Sequence, residues 1–200
     1  MKSPKRIGLF GGTFDPVHNA HLALAHAALT HLQLDELRWI PAGQPWQKDR
    51  EIAPAADREA MVELAIQGEP RFMLERSELQ RNGPSYTLDT VRELQAGEPQ
   101  AQWHLIIGQD QYAGLHTWRG WQELLERVTL AVANRPGASA SADSEVMRLA
   151  HRPIALPMMD VSSTEIRRRI AAGQGIDDLV PAAVARYIDQ HHLYRGSPRS

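Results

Sequence analysis

Short apolar runs alternate with longer helix-like segments along this chain, and that alternation limits the folds open to it. Arg6–Phe10 reads as a first strand, and His18–Leu34 as a helix with an apolar stripe at Leu22, Ala25, Leu29 and Leu32. Leu37–Ile40 follows as a strand stopped by Pro41, Ala56–Ile66 as a helix and Phe72–Leu74 as a short strand. Thr87–Gln95 is helical up to Gly97, Trp103–Ile107 is a buried strand, Trp121–Arg127 a helix and Thr129–Ala133 another strand. Further on, Glu145–Ala150, Ser163–Ala172 and Ala182–His191 carry helical patterns, with a strand at Ile154–Leu156 between the first two. Strand-helix-strand order predicts an α/β protein with a doubly wound parallel sheet, because parallel neighbours need a crossover between them. Ligands of such sheets bind at the carboxyl ends of the strands. Gly43–Pro54, polar and Pro-rich, and Gly137–Ser144 (GASASADS) read as surface loops. No repeat or linker divides the 200 residues, so one domain is expected, with a helical part over about 160–195.

Composition removes several alternatives. Apolar residues make up 42%, too many for a disordered chain. There is no cysteine, which excludes a disulfide framework and cysteine-based zinc or nucleophilic chemistry. Met1–Arg6 leads within a few residues into a Gly-rich turn, with no apolar run or small-residue cleavage site of the kind a signal peptide needs. No stretch approaches the roughly 20 apolar residues of a membrane helix. The cytoplasm is the expected compartment, without a membrane partner. With 22 basic and 24 acidic side chains well mixed, the net charge of −2 argues against a nucleic-acid-binding face.

The first chemical constellation is Gly8-Leu9-Phe10-Gly11-Gly12-Thr13-Phe14-Asp15-Pro16-Val17-His18-Asn19-Ala20-His21, where strand one turns into helix one. Paired glycines there permit positive φ and let main-chain amides approach a phosphate. The spacing is neither G-x-G-x-x-G nor a Walker motif. His18 and His21, three apart at a helix start, share one face near the positive end of the dipole. Two imidazoles so placed can hydrogen-bond a phosphoryl group and stabilise the charge that develops as pyrophosphate leaves. A bland helix cap is the alternative; a metal site is not expected, because two His lack a third ligand. Ser162 and Glu165, far downstream, form a capping box, so a helix starts at Ser163 with its amides and the Ser163 and Thr164 hydroxyls turned toward any anion. Arg167, one turn in, can reach the same anion, although on these residues alone an ordinary capped helix is the better reading. Arg168 and Arg169 read as a solvated face.

These residues resemble the HxGH-type nucleotidyltransferases, which include the nicotinate-mononucleotide and phosphopantetheine adenylyltransferases and have a Rossmann-like fold. GGTFDPVHxxH is similar to the family's first motif, and Val161-Ser162-Ser163-Thr164-Glu165-Ile166-Arg167 to its second, I-S-S/T-T-x-I-R. The resemblance implies His18 and His21 as catalytic groups, and Gly11, Gly12, Thr13, Ser163, Thr164 and Arg167 on ATP. Ala20 stands where the family has glycine beneath the adenine. Pro45-Trp46-Gln47-Lys48 resembles a P-P-H-[KR] loop in which only Lys48 transfers, as an ATP ligand.

Three more segments resemble the bacterial nicotinate-mononucleotide branch. Pro84-Ser85-Tyr86-Thr87 matches its P-S-Y-T, which holds the pyridine mononucleotide; Ser85 or Thr87 is also a candidate cap for the helix that follows. Ile107-Gly108-Gln109-Asp110 is similar to I-G-x-D, with Asp110 expected at the end of a strand beside the nucleotide. Thr117-Trp118-Arg119 resembles T-W-[YHR], where Trp stacks on the pyridine and neighbouring amides receive its carboxylate; among five Trp, packing is the alternative for Trp118. Arg135, in Asn134-Arg135-Pro136-Gly137, resembles a phosphate contact of R-R-P-G, and Tyr187 to Tyr194 resembles the Y-I-x-x-x-x-L-Y ending, read as structural. The resemblance implies AMP transfer from ATP, with Mg²⁺, to nicotinate mononucleotide and no tightly bound organic cofactor. Phosphopantetheine or nicotinamide mononucleotide as acceptor, and a non-catalytic nucleotide sensor prompted by Ala20, are the alternatives. Oligomeric state is not legible in the sequence.

Overall fold

The computed structural model describes residues 3–44, 52–134, 146, 149–156 and 159–195. Lys48, Arg135, the Gly137–Ser144 loop and much of Gly43–Pro54 lie outside the described residues. Six strands form one sheet: β1 (Arg6–Gly12), β2 (Glu36–Pro41), β3 (Phe72–Leu74), β4 (Gln102–Gly108), β5 (Thr129–Asn134) and β6 (Arg152–Ala155). The spatial order is β3-β2-β1-β4-β5-β6, with every pair parallel, so the doubly wound reading holds. Strand order reverses between β1 and β4, which opens a crevice at their carboxyl ends.

Alternation along the strands builds two cores. Ile7 and Leu9 of β1, with Trp103, Leu105 and Ile107 of β4, fill one side of the sheet. Phe10, Trp39, Ile106 and Ala131 fill the other. Both faces are therefore apolar, as parallel sheets require. On the Phe10 side lie α1 (Asn19–His31), α2 (Ala55–Ile66), α7 (Ser163–Ala171) and α8 (Ala182–Gln190). Opposite them are α4 (Thr87–Gly97) and α6 (Trp121–Arg127), which contribute Leu88, Val91 and Leu124.

Several expectations need correction. Helix α1 buries Leu24, Ala25, Ala28 and Leu29, with Leu22 only partly covered, and it ends at His31 rather than Leu34. Gln33 is left-handed (φ 51°), and the Gln33 and Leu34 amides return to Thr30 O (3.3 Å) and Leu29 O (3.0 Å), a Schellman closure without its usual glycine. Pro41 does not stop β2; it is its last residue, opposite Gly12. The short helices α3 (Ser77–Gln80) and α5 (Gln109–Ala113) and the 3₁₀ turn Leu115–Thr117 have too few residues to show a period. Of Glu145–Ala150, the described residues are Val146, in a 3₁₀ turn, and Leu149 and Ala150, which are not helical.

Candidate active site

The turn after β1 works differently from the expectation of positive φ at paired glycines. Gly11 and Gly12 continue β1, paired with Ile40 and Pro41, and the left-handed residue is Phe14 (φ 50°). Glycine suits position 11 for another reason. A Cβ there would meet nothing nearer than Ile40 O at 4.0 Å, and would project into the cleft where a ligand approaches.

His18 is the N-cap of α1 and His21 its third residue. The His18 main-chain N–H donates to His21 Nδ1 (3.2 Å), and the two rings stack with centroids 3.7 Å apart. His21 also meets Phe14 edge-on at 5.1 Å. Burial among these rings, and then His18 beside it, hold the His21 imidazole well below the ordinary histidine range. A neutral ring whose Nδ1 accepts must carry its proton on Nε2, so His21 is a hydrogen-bond donor without being a cation.

The second helix start meets this turn. Ser162 Oγ accepts from Glu165 N (3.2 Å), the cap read from sequence, while the Glu165 carboxylate takes Arg168 and Arg169. Ser163 Oγ donates to Pro16 O (3.0 Å), which spends its proton on joining the two motifs. Thr164 Oγ1 accepts from Arg167 Nη2 (3.2 Å) and keeps its own proton to give. Arg167 Nη1 donates to Asp15 O (2.7 Å).

Two clefts share one floor. Gly11, Gly12, Thr13, His18, Ala20, His21, Ser163, Thr164 and Arg167 line the first. Ser85, Tyr86, Thr87, Trp118 and Arg119 line the second, with Gly11, Gly12, Thr13 and Gln111 common to both. Gly108 and Asp110 fall on the His18 side, not beside Trp118, and Asp110 sits in the first turn of α5 instead of ending a strand.

In the second cleft, Ser85 Oγ accepts from Gly43 N (3.0 Å) and Gln44 N (3.3 Å) and hydrogen-bonds Glu78. It therefore shapes the cleft wall. Gly43 is pressed so closely on α3 that a Cβ would fall 2.1 Å from Glu78 O. Burial pushes the Glu78 carboxyl up, while the Thr90 and Ser85 hydroxyls pull it down. Neither Ser85 nor Thr87 caps α4; its N-cap is Tyr86, with no side-chain cap bond, which leaves first-turn amides for a ligand. The Arg119 guanidinium lies 4.8 Å over the Tyr86 ring. Trp118 is half-buried, and its amide closes the 3₁₀ turn on Leu115 O (3.0 Å).

A model of the cytidylyltransferase-like family matches residues 9–169. A relative from Methylibium petroleiphilum, named "Probable nicotinate-nucleotide adenylyltransferase", is 58% identical over 196 residues, covering 95% of this chain and 92% of its own. The chain belongs to the nicotinate-nucleotide adenylyltransferase branch of that family. A relative of the same name from Bordetella petrii is 50% identical, covering 96% of this chain and all of its own. The Plasmodium falciparum nicotinic acid mononucleotide adenylyltransferase, solved with APC and with NaAD, shares the fold at TM-score 0.77 and 18% identity, over 95% of this chain and 97% of its own.

Within this adenylyltransferase family member the Ala20 position is testable. Its methyl lines the His18 cleft, on the second residue of α1. Ala20→Gly is expected to retain turnover and lower the KM for ATP, at a stability cost of up to about 1 kcal/mol from lost helix propensity. Steady-state kinetics at varied ATP check this; an inactive wild type restored by Ala20→Gly would instead support the sensor reading.

Sequence reasoning missed Arg58. It is 1% exposed, donating to the carbonyls of Thr13 (3.0 Å), Ala42 (2.7 Å), Gly43 (3.3 Å) and Ala53 (3.0 Å). The usable signal was an arginine in register with the buried Met61 and Val62 of the same helix.

Proposed function

We propose that this chain transfers AMP from ATP to nicotinate mononucleotide, releasing pyrophosphate and forming nicotinate adenine dinucleotide, the precursor of NAD. The observation that carries this is that the two clefts share a floor at Gly11, Gly12 and Thr13; a nucleotide bound in one would meet a mononucleotide bound in the other there. An oxygen of the mononucleotide phosphate attacks the α-phosphorus of ATP. The new P–O bond forms as the bond to pyrophosphate breaks, and the electron pair leaves with pyrophosphate. No protein nucleophile takes part. His18 and His21 donate to the oxygens where charge accumulates, and Thr164, Arg167 and the α7 amides hold the triphosphate. Mg²⁺ brought in with ATP would neutralise phosphate charge, and the exposed Asp110 is the carboxylate of that cleft that would hold it, since Asp15 is buried and engaged by Tyr194, Ala53 and Arg167; among the described residues no three His, Asp or Glu converge as a cage. The whole chain acts as one domain, in the cytoplasm. No helix of the described residues is long and apolar enough to cross a membrane.

Trp118 presents its indole to the pyridine. Since the Thr117 and Trp118 amides are spent on Gly114 O and Leu115 O, the nicotinate carboxylate is received at the uncapped start of α4 beside Thr87. An amide there would leave donor hydrogens unmatched, at about 1–3 kcal/mol, or roughly tenfold to hundredfold in preference. The test is pyrophosphate release with ATP, Mg²⁺ and each mononucleotide. Trp118→Ala is expected to raise the KM for nicotinate mononucleotide about tenfold, the scale of one lost stacking contact, while sparing ATP and keeping the acid preference. Equal kcat/KM for acid and amide in the wild type would overturn the acceptor.

A further inference from the structure

The last turn of the chain reaches back to the first motif. Tyr194 Oη donates to Asp15 Oδ1 (2.8 Å), across 179 positions of sequence. Asp15 is 1% exposed, and its Oδ1 also accepts from Ala53 N (3.1 Å). Its Oδ2 lies 3.8 Å from Arg167 Nη1, the guanidinium that reaches the ATP cleft. Burial and then the Asp15 carboxylate push the Tyr194 phenol far above its ordinary range, so it stays a donor at every working pH. Tyr194 (φ 61°) and Phe14 (φ 50°) are both left-handed without being glycine, and both sit at Asp15. Strain of this kind persists only where surrounding structure enforces it. The C-terminal segment is also anchored by Tyr187 Oη on Asp57 Oδ1 (2.8 Å) and by Leu193 and the Tyr194 ring against the core, packing that Tyr194→Phe keeps.

We propose that Tyr194 is a positioning residue for ATP, acting through Asp15 on Arg167. Its hydroxyl takes up part of the Asp15 charge. With that share satisfied, the Arg167 guanidinium holds the Asp15 carbonyl and the Thr164 hydroxyl and stays open to the triphosphate. Without it, the carboxylate draws Arg167 inward at short range and low dielectric. The proposal deepens the reading of the His18 cleft as the ATP site and rests on it.

The experiment is calorimetric binding of a non-hydrolysable ATP analogue, run beside KM measurements for ATP and nicotinate mononucleotide. Tyr194→Phe should weaken the analogue and raise the ATP KM about fivefold, leaving the mononucleotide KM within about twofold, on the scale of one ordinary hydrogen bond, because the loss reaches ATP only through Arg167. Tyr187→Phe, which removes a hydrogen bond from the same segment, should leave ATP binding unchanged. In an Arg167→Ala background, Tyr194→Phe should add nothing further to the ATP loss. Additive losses, equal losses toward both substrates, or the same ATP defect in Tyr187→Phe would overturn the proposal. If the wild type binds the analogue but makes no dinucleotide, the acceptor reading fails while the Tyr194 arm still reports.

Discussion

Replacing His18 or His21 by alanine is expected to lower kcat by about 100-fold or more, the scale of losing one preorganised donor to a transition state. The stacked rings stand at the mouth of α1, and on the proposed mechanism both donate to the developing phosphoryl charge. His21→Ala also removes the acceptor for the His18 amide, so a capping loss of about 1 kcal/mol accompanies the kinetic effect. His21→Asn separates the two. Its side-chain oxygen stands in for Nδ1 and keeps the His18 bond, while nothing replaces Nε2. Stability should then return toward wild type with kcat still low; a near-normal kcat in either alanine variant would sink the assignment of that residue. The pH dependence has a definite sign. The folded His21 pKa is depressed by burial, so the neutral donor persists in the range where an ordinary histidine titrates, near about 6.5. The unfolded chain takes up that proton as pH falls through the same range, and the native state does not. Stability from this site is thus present above that value and lost below it. The difference in Tm between wild type and His21→Asn should therefore move in favour of the variant on going from about pH 7.5 to about pH 5.5.

Arg58→Ala is expected to be the most destabilising single change in the site, at about 3–5 kcal/mol, because it strips a buried cation from its partners. Four carbonyls from three chain segments lose their donor at once: the Thr13 turn, Ala42–Gly43 after β2, and Ala53 before α2. Asp15, whose charge Arg58 helps to offset, is left facing Arg167 more exclusively. For a domain of this size the loss corresponds to a Tm lower by roughly 6–20 °C. Both clefts share the Thr13 turn, so the KM for ATP and for the mononucleotide should rise together, unlike the single-substrate effects at Trp118 or Tyr194. Lysine should restore part of the stability, since a point charge cannot hold four carbonyls in a planar fork. Thermal melts of both variants decide this; a Tm within a degree or two of wild type for Arg58→Ala would remove Arg58 from the scaffold.

Much of this molecule is legible from sequence because the signals involved are local. Strand alternation at Ile7, Leu9 and Phe10 acts over two residues, and it sends side chains to opposite faces whatever lies beyond. The Ser162 cap acts over three, and it started α7 where the pattern placed it. The pairing of His18 with His21 follows from helical spacing, and their stacking needed only that α1 begin at Asn19. Short pieces escaped: α5 occupies five residues, too few to show a period, and the end of α1 is closed by a left-handed Gln33 that no glycine advertises.

What tertiary structure alone decided is which polar atoms are already spent. Sequence names Ser85, Ser163 and Trp118 as ligand contacts equally well. The fold commits Ser85 Oγ to the Gly43 and Gln44 amides, Ser163 Oγ to Pro16, and the Trp118 amide to Leu115. It likewise brings Tyr194 and Arg167 to Asp15 and lays Arg58 beneath three loops. Such choices depend on which distant segments pass within about 3 Å of each other, a distance at which hydrogen bonds form and which no residue spacing encodes. The residue types that do chemistry were therefore fixed by local pattern, and their division into contact and scaffold was fixed by packing.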